Sequence, residues 1–321
     1  MPRRLLVAVF VAGALAGCGG GSTRSTARSR TGAGHGATST PTATVAKPRP
    51  PALAVAPLRS TGVAWRPVAR VLGQDAAWEA QRDGVTLLRF DQRLVRLDLH
   101  AGIGEPSGNW RYGPLIEPSE IHHVIAAFNG GFKFTTGDVG WLAGGRVAVP
   151  LARGRGSIVT YRDGATDIGA WEEGVPAAGR RVYSVLQNLV LLVRDGVVAA
   201  NASSCIQACW GATVGNVDVV ARSGLGVTAD GMLVWGAGAH LVPSELGGAL
   251  VNAGVVRAVQ LDINPDWVAG YLYVHGHSGP EAVPVVPEQL GIAGRFMEPY
   301  GRDFFAVVAA AQAQPVGGPP G

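Results

Sequence analysis

Val259-Gln260-Leu261-Asp262, running into Ile263-Asn264-Pro265-Asp266-Trp267, is the stretch on which the reading of this chain turns. Its first three residues close an apolar run of strand character, and that run stops abruptly in clustered carboxylates and amides. Pro265 has no N–H and cannot continue a sheet ladder, so a turn must follow the strand. Asp262, Asn264 and Asp266 leave that turn within a contour of about 14 Å, close enough to share one small site. Two readings stand open: a polar site at a strand end, or an Asx-rich turn whose side chains bond their own backbone.

Upstream, Pro243-Ser244 precede Glu245, Leu246, Leu250 and Val251, and Gly254 follows them. A capping residue, an acid in the first turn and a glycine stop predict a helix that feeds directly into a strand at 257–261. A shorter helix is predicted at 118–122, ahead of a strand at 124–128. Asp-Gly pairs at 83–84, 163–164, 195–196 and 230–231 are the strongest short-range hairpin signal, and three of them are flanked by apolar or β-branched segments on both sides. Further strands are predicted at 85–90, 94–100, 157–161, 189–193, 224–228, 232–235, 271–274 and 304–308. Strands in excess, joined by hairpins and a few crossover helices, predict an α+β fold: a mixed, mainly antiparallel sheet in a single domain. The 47 glycines are about twice the usual share and imply many tight turns and close backbone approaches.

The ends of the chain read differently. Arg3 and Arg4 precede an apolar stretch at 5–16 that is too short to span a bilayer comfortably, and Leu15-Ala16-Gly17-Cys18 closes it with small residues. Residues 1–17 therefore read as a signal peptide whose end resembles a bacterial lipobox. That likeness implies cleavage after Gly17, lipidation of Cys18 and a membrane anchor without a spanning helix. Residues 18–60 are rich in Gly, Ser, Thr, Ala and Pro, with no acid and no aromatic, and predict a flexible tether. A folded domain is expected at 61–310 and a disordered tail at 311–321.

Eight of the 27 Lys and Arg lie in the first 60 residues and none of the 23 Asp and Glu does, so the remainder carries a formal charge of −4. The basic whole-chain pI of 9.2 is thus a property of the signal and tether, and the folded part does not support a nucleic-acid partner. Cys205 and Cys209 are spaced C-x3-C in an exported chain, which favours a local disulfide over a metal site needing further ligands. His275 and His277 share a face if extended, but no third zinc ligand can be placed. No nucleophile elbow surrounds Ser223, and no phosphate loop or dinucleotide fingerprint is present.

Three further segments share an order with the Asp262 turn: Ala127-Phe128-Asn129-Gly130-Gly131-Phe132, then 186–196 with Leu186-Gln187-Asn188 and Arg194-Asp195-Gly196, then 221–231 with Arg222-Ser223. This order, from about 85 to 308 and closing on Arg302 and the last strand, resembles the phosphodiester glycosidase family. In the resemblance, Asn129-Gly130 matches the family's turn after a strand and Arg222-Ser223 its arginine-hydroxyl pair. Ser244 to Asp262 matches its helix-then-Leu-Asp element. Where the family usually continues in glycines and serines, this chain has Ile263-Asn264-Pro265-Asp266-Trp267.

The resemblance implies a hydrolase acting on a glycosidic or sugar-phosphodiester linkage of an envelope carbohydrate polymer. Such chemistry needs a carboxylate beside the anomeric carbon and donors where charge builds on the leaving oxygens. Asp262 is expected as acid/base or nucleophile, Asp266 as its partner and Arg222 as the planar donor fork. Asn129, Gly130, Lys133, Ser223 and Asn264 are expected to bind substrate, and Trp141, Trp210 and Trp267 offer faces for a sugar or for the core. No cofactor is expected; Asp262, Asn264 and Asp266 are hard oxygen ligands for a divalent cation but lack a known calcium-loop pattern. The rival reading is a glycan-binding lipoprotein that keeps the fold without the chemistry.

Overall fold

The computed structural model describes residues 62–136, 139–277, 279–290 and 294–310. The signal peptide, Cys18, the tether and the tail lie outside them. Strands β1 (Arg66–Val71), β2 (Gln74–Arg82), β3 (Val85–Phe90), β4 (Val95–His100), β5 (Val124–Asn129) and β6 (Val139–Ala143) come first. They are followed by β7 (Arg146–Val149), β8 (Gly156–Tyr161), β9 (Thr166–Ala170), β10 (Val182–Asn188), β11 (Leu191–Arg194) and β12 (Val197–Val198). Helix α1 (Ile206–Trp210) then precedes β13 (Val220–Thr228) and β14 (Leu233–Leu241), and helix α2 (Pro243–Asn252) precedes β15 (Val255–Gln260). Strands β16 (Gly270–Gly276), β17 (Gly279–Pro284) and β18 (Phe304–Ala309) complete the set.

These strands form three sheets, in the orders β1-β2-β3-β14-β13-β15-β11-β12, β7-β6-β10-β8-β9 and β17-β16-β5-β18-β4. Among the described residues every strand pair in them is antiparallel, so the expected mixed sheet is corrected to a β-dominated fold of three antiparallel sheets. The reason lies in α2. It carries the chain from β14 over β13 to β15, and β13 pairs antiparallel with both, so a crossover helix is present without any parallel ladder. All four Asp-Gly pairs join consecutive antiparallel strands. At Asp83-Gly84 and Asp195-Gly196 both residues have positive φ (51° and 78°, 52° and 75°), the twist-matched hairpin turn.

Two sequence expectations shift locally. The short helix expected at 118–122 is a single 3-10 turn at Ile121–His123. The strand expected from 189 starts at Leu191, because Leu189 takes a left-handed φ of 54° in the turn after β10. Helix α2 begins at Pro243 as its first residue, and the Glu245 carboxylate accepts the Val242 N–H at 2.9 Å.

Small residues set the seat of α2. Gly224 faces Gly236 in the β13–β14 register, and a Cβ on either would lie 3.3 Å from Leu246 or Leu250 of the helix. Both leucines are fully buried, each worth about 1.5–3 kcal/mol of apolar burial. Trp235 of β14 is stacked on Phe128 of β5 at 5.3 Å, and a Cβ at Gly270 would meet its ring at 2.4 Å. That contact fastens the first sheet to the third. The C-terminal ends of β5, β10 and β15, one from each sheet, come together in a common polar region marked by Asn129, Asn188 and Gln260.

Candidate active site

A cleft of about 640 Å³ opens above these strand ends, lined by Phe132, Lys133, Asp262, Asn264, Trp267 and Arg302, with the α1 segment as its opposite wall. Asp262 follows β15 and is 5% exposed. Its Oδ1 accepts the N–H groups of Ile263 at 2.7 Å and Asn264 at 2.9 Å, and Asn264 Oδ1 accepts the N–H of Asp266 at 2.9 Å. The stretch is therefore an Asx-rich turn and a cleft wall at once. The turn fixes Oδ1 and leaves Oδ2 toward Arg302, whose Nη2 lies 3.4 Å away. Burial pushes the Asp262 carboxyl above the usual carboxylate range, opposed by the Asn264 N–H, the Arg302 charge and the Ile263 N–H.

Arg302, placed just ahead of β18, is 6% exposed. Its Nη2 donates to Gly131 O at 2.7 Å, and its Nε lies 3.2 Å from Glu105 Oε2 outside hydrogen-bonding geometry. Nη1 is buried with no hydrogen-bond partner. The guanidinium carbon sits 5.5 Å from the Trp267 ring centroid and Lys133 Nζ 5.9 Å from it, so two cations share one indole ring. A buried, unused arginine donor beside a buried carboxyl and an aromatic face is an arrangement able to take a polar ring with an acceptor oxygen.

Not every expected residue reaches this cleft. Asn129 is buried behind it: its Nδ2 donates to Ser223 Oγ and Gly130 O, each at 2.9 Å, and its Oδ1 accepts the Ala269 N–H at 3.3 Å. Ser223 Oγ in turn donates to Asp262 O at 3.2 Å. Asn129 and Ser223 thus hold the Asp262 backbone, and neither lines the cleft. Asn188 does the same for the facing loop, accepting the Phe132 N–H at 3.1 Å and donating to Gln260 O at 2.7 Å. Gly130 is buried against Asp303, where a Cβ would lie 2.4 Å from Oδ1. Asn129, Ser223 and Gly130 stay behind the cleft because each already has its partners within the protein.

Arg222 lies elsewhere. It is fully buried and donates to the backbone oxygens of Leu241 at 2.8 Å, Asp218 at 3.0 Å and Trp210 at 3.4 Å, and to Gln260 Oε1 at 3.1 Å. Burial lowers its pKa to about 10. The expected catalytic fork is a clamp on the chain that forms the far wall. Asp266 is exposed and does not line the cleft; Pro265 and the Asn264–Asp266 turn carry it outward. Of the tryptophans, Trp141 and Trp210 are core residues and Trp267 lines the cleft.

Cys205 and Cys209 form a disulfide across α1, holding the wall that presents Gln207 and Ala208. Among the described residues no group of three His, Cys, Asp or Glu side chains is placed to hold a metal ion. Asp262 Oδ1 and Asn264 Oδ1, two of the expected cation ligands, accept backbone N–H groups instead. Also among the described residues, no helix is long and apolar enough to cross a membrane. In the sequence Arg302 heads the closing strand with no expected role in the site, and Glu105 and Asp303 carry no expectation at all. The adjacent Arg302-Asp303 pair ahead of a buried strand was the available signal.

No protein-family model and no curated protein matches the chain. Among solved structures it is similar to the zebrafish N-acetylglucosamine-1-phosphodiester alpha-N-acetylglucosaminidase catalytic domain auto-inhibited by its pro-peptide, at 17% identity and a TM-score of 0.45, covering 77% of this chain and 82% of that one. It is also similar to a hypothetical protein from Synechocystis, at 13% identity and a TM-score of 0.43, covering 77% of this chain and 64% of that one. Both are likenesses of fold.

Proposed function

We propose that the chain is an extracytoplasmic hydrolase, anchored through a lipid on Cys18, that cleaves a glycosidic or sugar-phosphodiester linkage of an envelope glycan. The observation that carries the reading is the meeting of a buried Asp262 carboxyl, the Arg302 guanidinium and the Trp267 ring in the lining of one cleft. A sugar ring stacks on Trp267. Asp262, whose affinity for a proton is raised by burial, gives its proton to the leaving oxygen as the bond to the anomeric carbon breaks. Water adds at that carbon and the proton it loses restores the Asp262 acid, while Arg302 and Lys133 hold negative charge on the leaving group. The order of motifs from Asn129 to Arg302 supports the same assignment, and the Pro265-Asp266 loop points away from a phosphate cradle of backbone donors.

The test is release of reducing sugar or phosphate from envelope polymers, or from an α-N-acetylglucosamine phosphodiester, by the wild type and by Asp262→Asn. Turnover that disappears in the variant supports the reading; equal turnover in both removes Asp262 from its role. One observation favours a second reading, a glycan-binding lipoprotein: among the described residues Asp262 is the one carboxylate that lines the cleft. Glycan affinity in calorimetry without product after long incubation would establish that alternative.

A further inference from the structure

Asp303 follows the cleft-lining Arg302 and immediately precedes β18. It is 1% exposed, and neither carboxyl oxygen has a hydrogen-bond partner. Gly130 closes over it so tightly that a Cβ there would lie 2.4 Å from Oδ1 and 2.8 Å from the Asp303 carbonyl. The Gly130 N–H is no help to the carboxyl, because it donates to Asp303 O at 3.1 Å. The ionisable groups acting on Asp303 are Arg302, Asp262 and Glu105, with Tyr300 close by. On the neighbouring strand, His100 stacks on Phe304 at 4.4 Å and is held neutral, its pKa lowered to about 4.

One guanidinium therefore already faces two carboxylates, Asp262 and Glu105, before Asp303 is counted. An ionised carboxyl buried without donors is costly, and the available compensating charge is Arg302. Burial, opposed chiefly by Arg302, pushes the Asp303 pKa up to about 8, so near neutrality it carries a proton.

We infer that Asp303 is a positioning residue for Arg302: uncharged, it leaves the guanidinium to Asp262 and to the cleft, and ionised, it draws the guanidinium inward and empties the donor seat. The inference rests on the proposed role of Arg302 as the cleft's donor. It predicts anion affinity that fails on the alkaline side because of a residue the ligand never touches.

The experiment measures binding of inorganic sulfate, whose charge is constant over the range, by calorimetry from pH 6.5 to 9.5. In the wild type the dissociation constant is expected to rise about tenfold, the effect of roughly one unit of linked pKa shift. In Asp303→Asn, permanently neutral and nearly the same shape, it is expected to change less than twofold. An equal alkaline loss in both proteins, or no loss in the wild type, overturns the inference while leaving the cleft reading intact. No sulfate binding at any pH in the wild type removes the Arg302 seat itself, and both fall. A carboxyl carbon NMR titration of the wild type serves if the variant does not fold: ionisation of Asp303 below pH 6 overturns the inference.

Discussion

Replacing Asp303 by Asn should stabilise the protein increasingly as pH rises, in a window set by two numbers. The unfolded chain ionises this carboxyl near its ordinary value of 3.8, and the folded protein near 8. Between them folding retains a proton that the unfolded chain has released, so wild-type stability falls with rising pH and levels off above the folded value. The slope contributed is about 1.4 kcal/mol per pH unit. Because the group is fully buried, solvent screening does not soften it. Asp303→Asn removes this slope, so its stability relative to wild type should grow by about 3 kcal/mol between pH 4.5 and pH 7. The raised pKa of Asp262 slopes the same way in both proteins. Urea unfolding at a series of pH values, with the m-value checked for constancy, reads the difference. Parallel stability curves for the two proteins would show that the carboxyl finds donors or water in the folded state, and would refute the argument.

Other outcomes follow from the same geometry. Arg222→Met should cost about 3 kcal/mol in chemical unfolding, because three backbone oxygens lose a buried donor at about 1 kcal/mol each. Substitution of Cys205 and Cys209 by Ser should lower global stability by no more than about 2 kcal/mol, the entropy of so short a loop. The same pair should raise KM more than it lowers kcat, since Gln207 and Ala208 lose their fixed wall. Trp267→Ala should leave the unfolding midpoint nearly unchanged yet weaken glycan binding in calorimetry by about tenfold, the worth of one aromatic face.

The hairpins and the α2 crossover were legible in the chain because their signals are local: Asp-Gly at the turns, Pro243 and Gly254 at the helix ends, apolar runs between. Three antiparallel sheets were not, because sheet order depends on which strands meet across long separations, as Phe128 meets Trp235. In the site, Asp262, Asn264, Lys133 and Trp267 were readable from an apolar strand ending in polar residues and from a glycine-rich loop. Arg222 misled because a polar residue in an apolar strand looks the same whether its donors face a substrate or four protein oxygens. Arg302 and Asp303 were hard to place for a related reason, since their significance comes from Gly130, Glu105 and Asp262, all distant in sequence.

The most direct test of the central claim is turnover of an α-N-acetylglucosamine phosphodiester and of isolated envelope glycans by the wild type beside Asp262→Asn and Arg302→Met. The account predicts product from the wild type on at least one of these substrates. It also predicts loss of kcat in Asp262→Asn, and a KM that rises in Arg302→Met. Product formed equally by all three proteins, or glycan bound by all three and never cleaved, would contradict it.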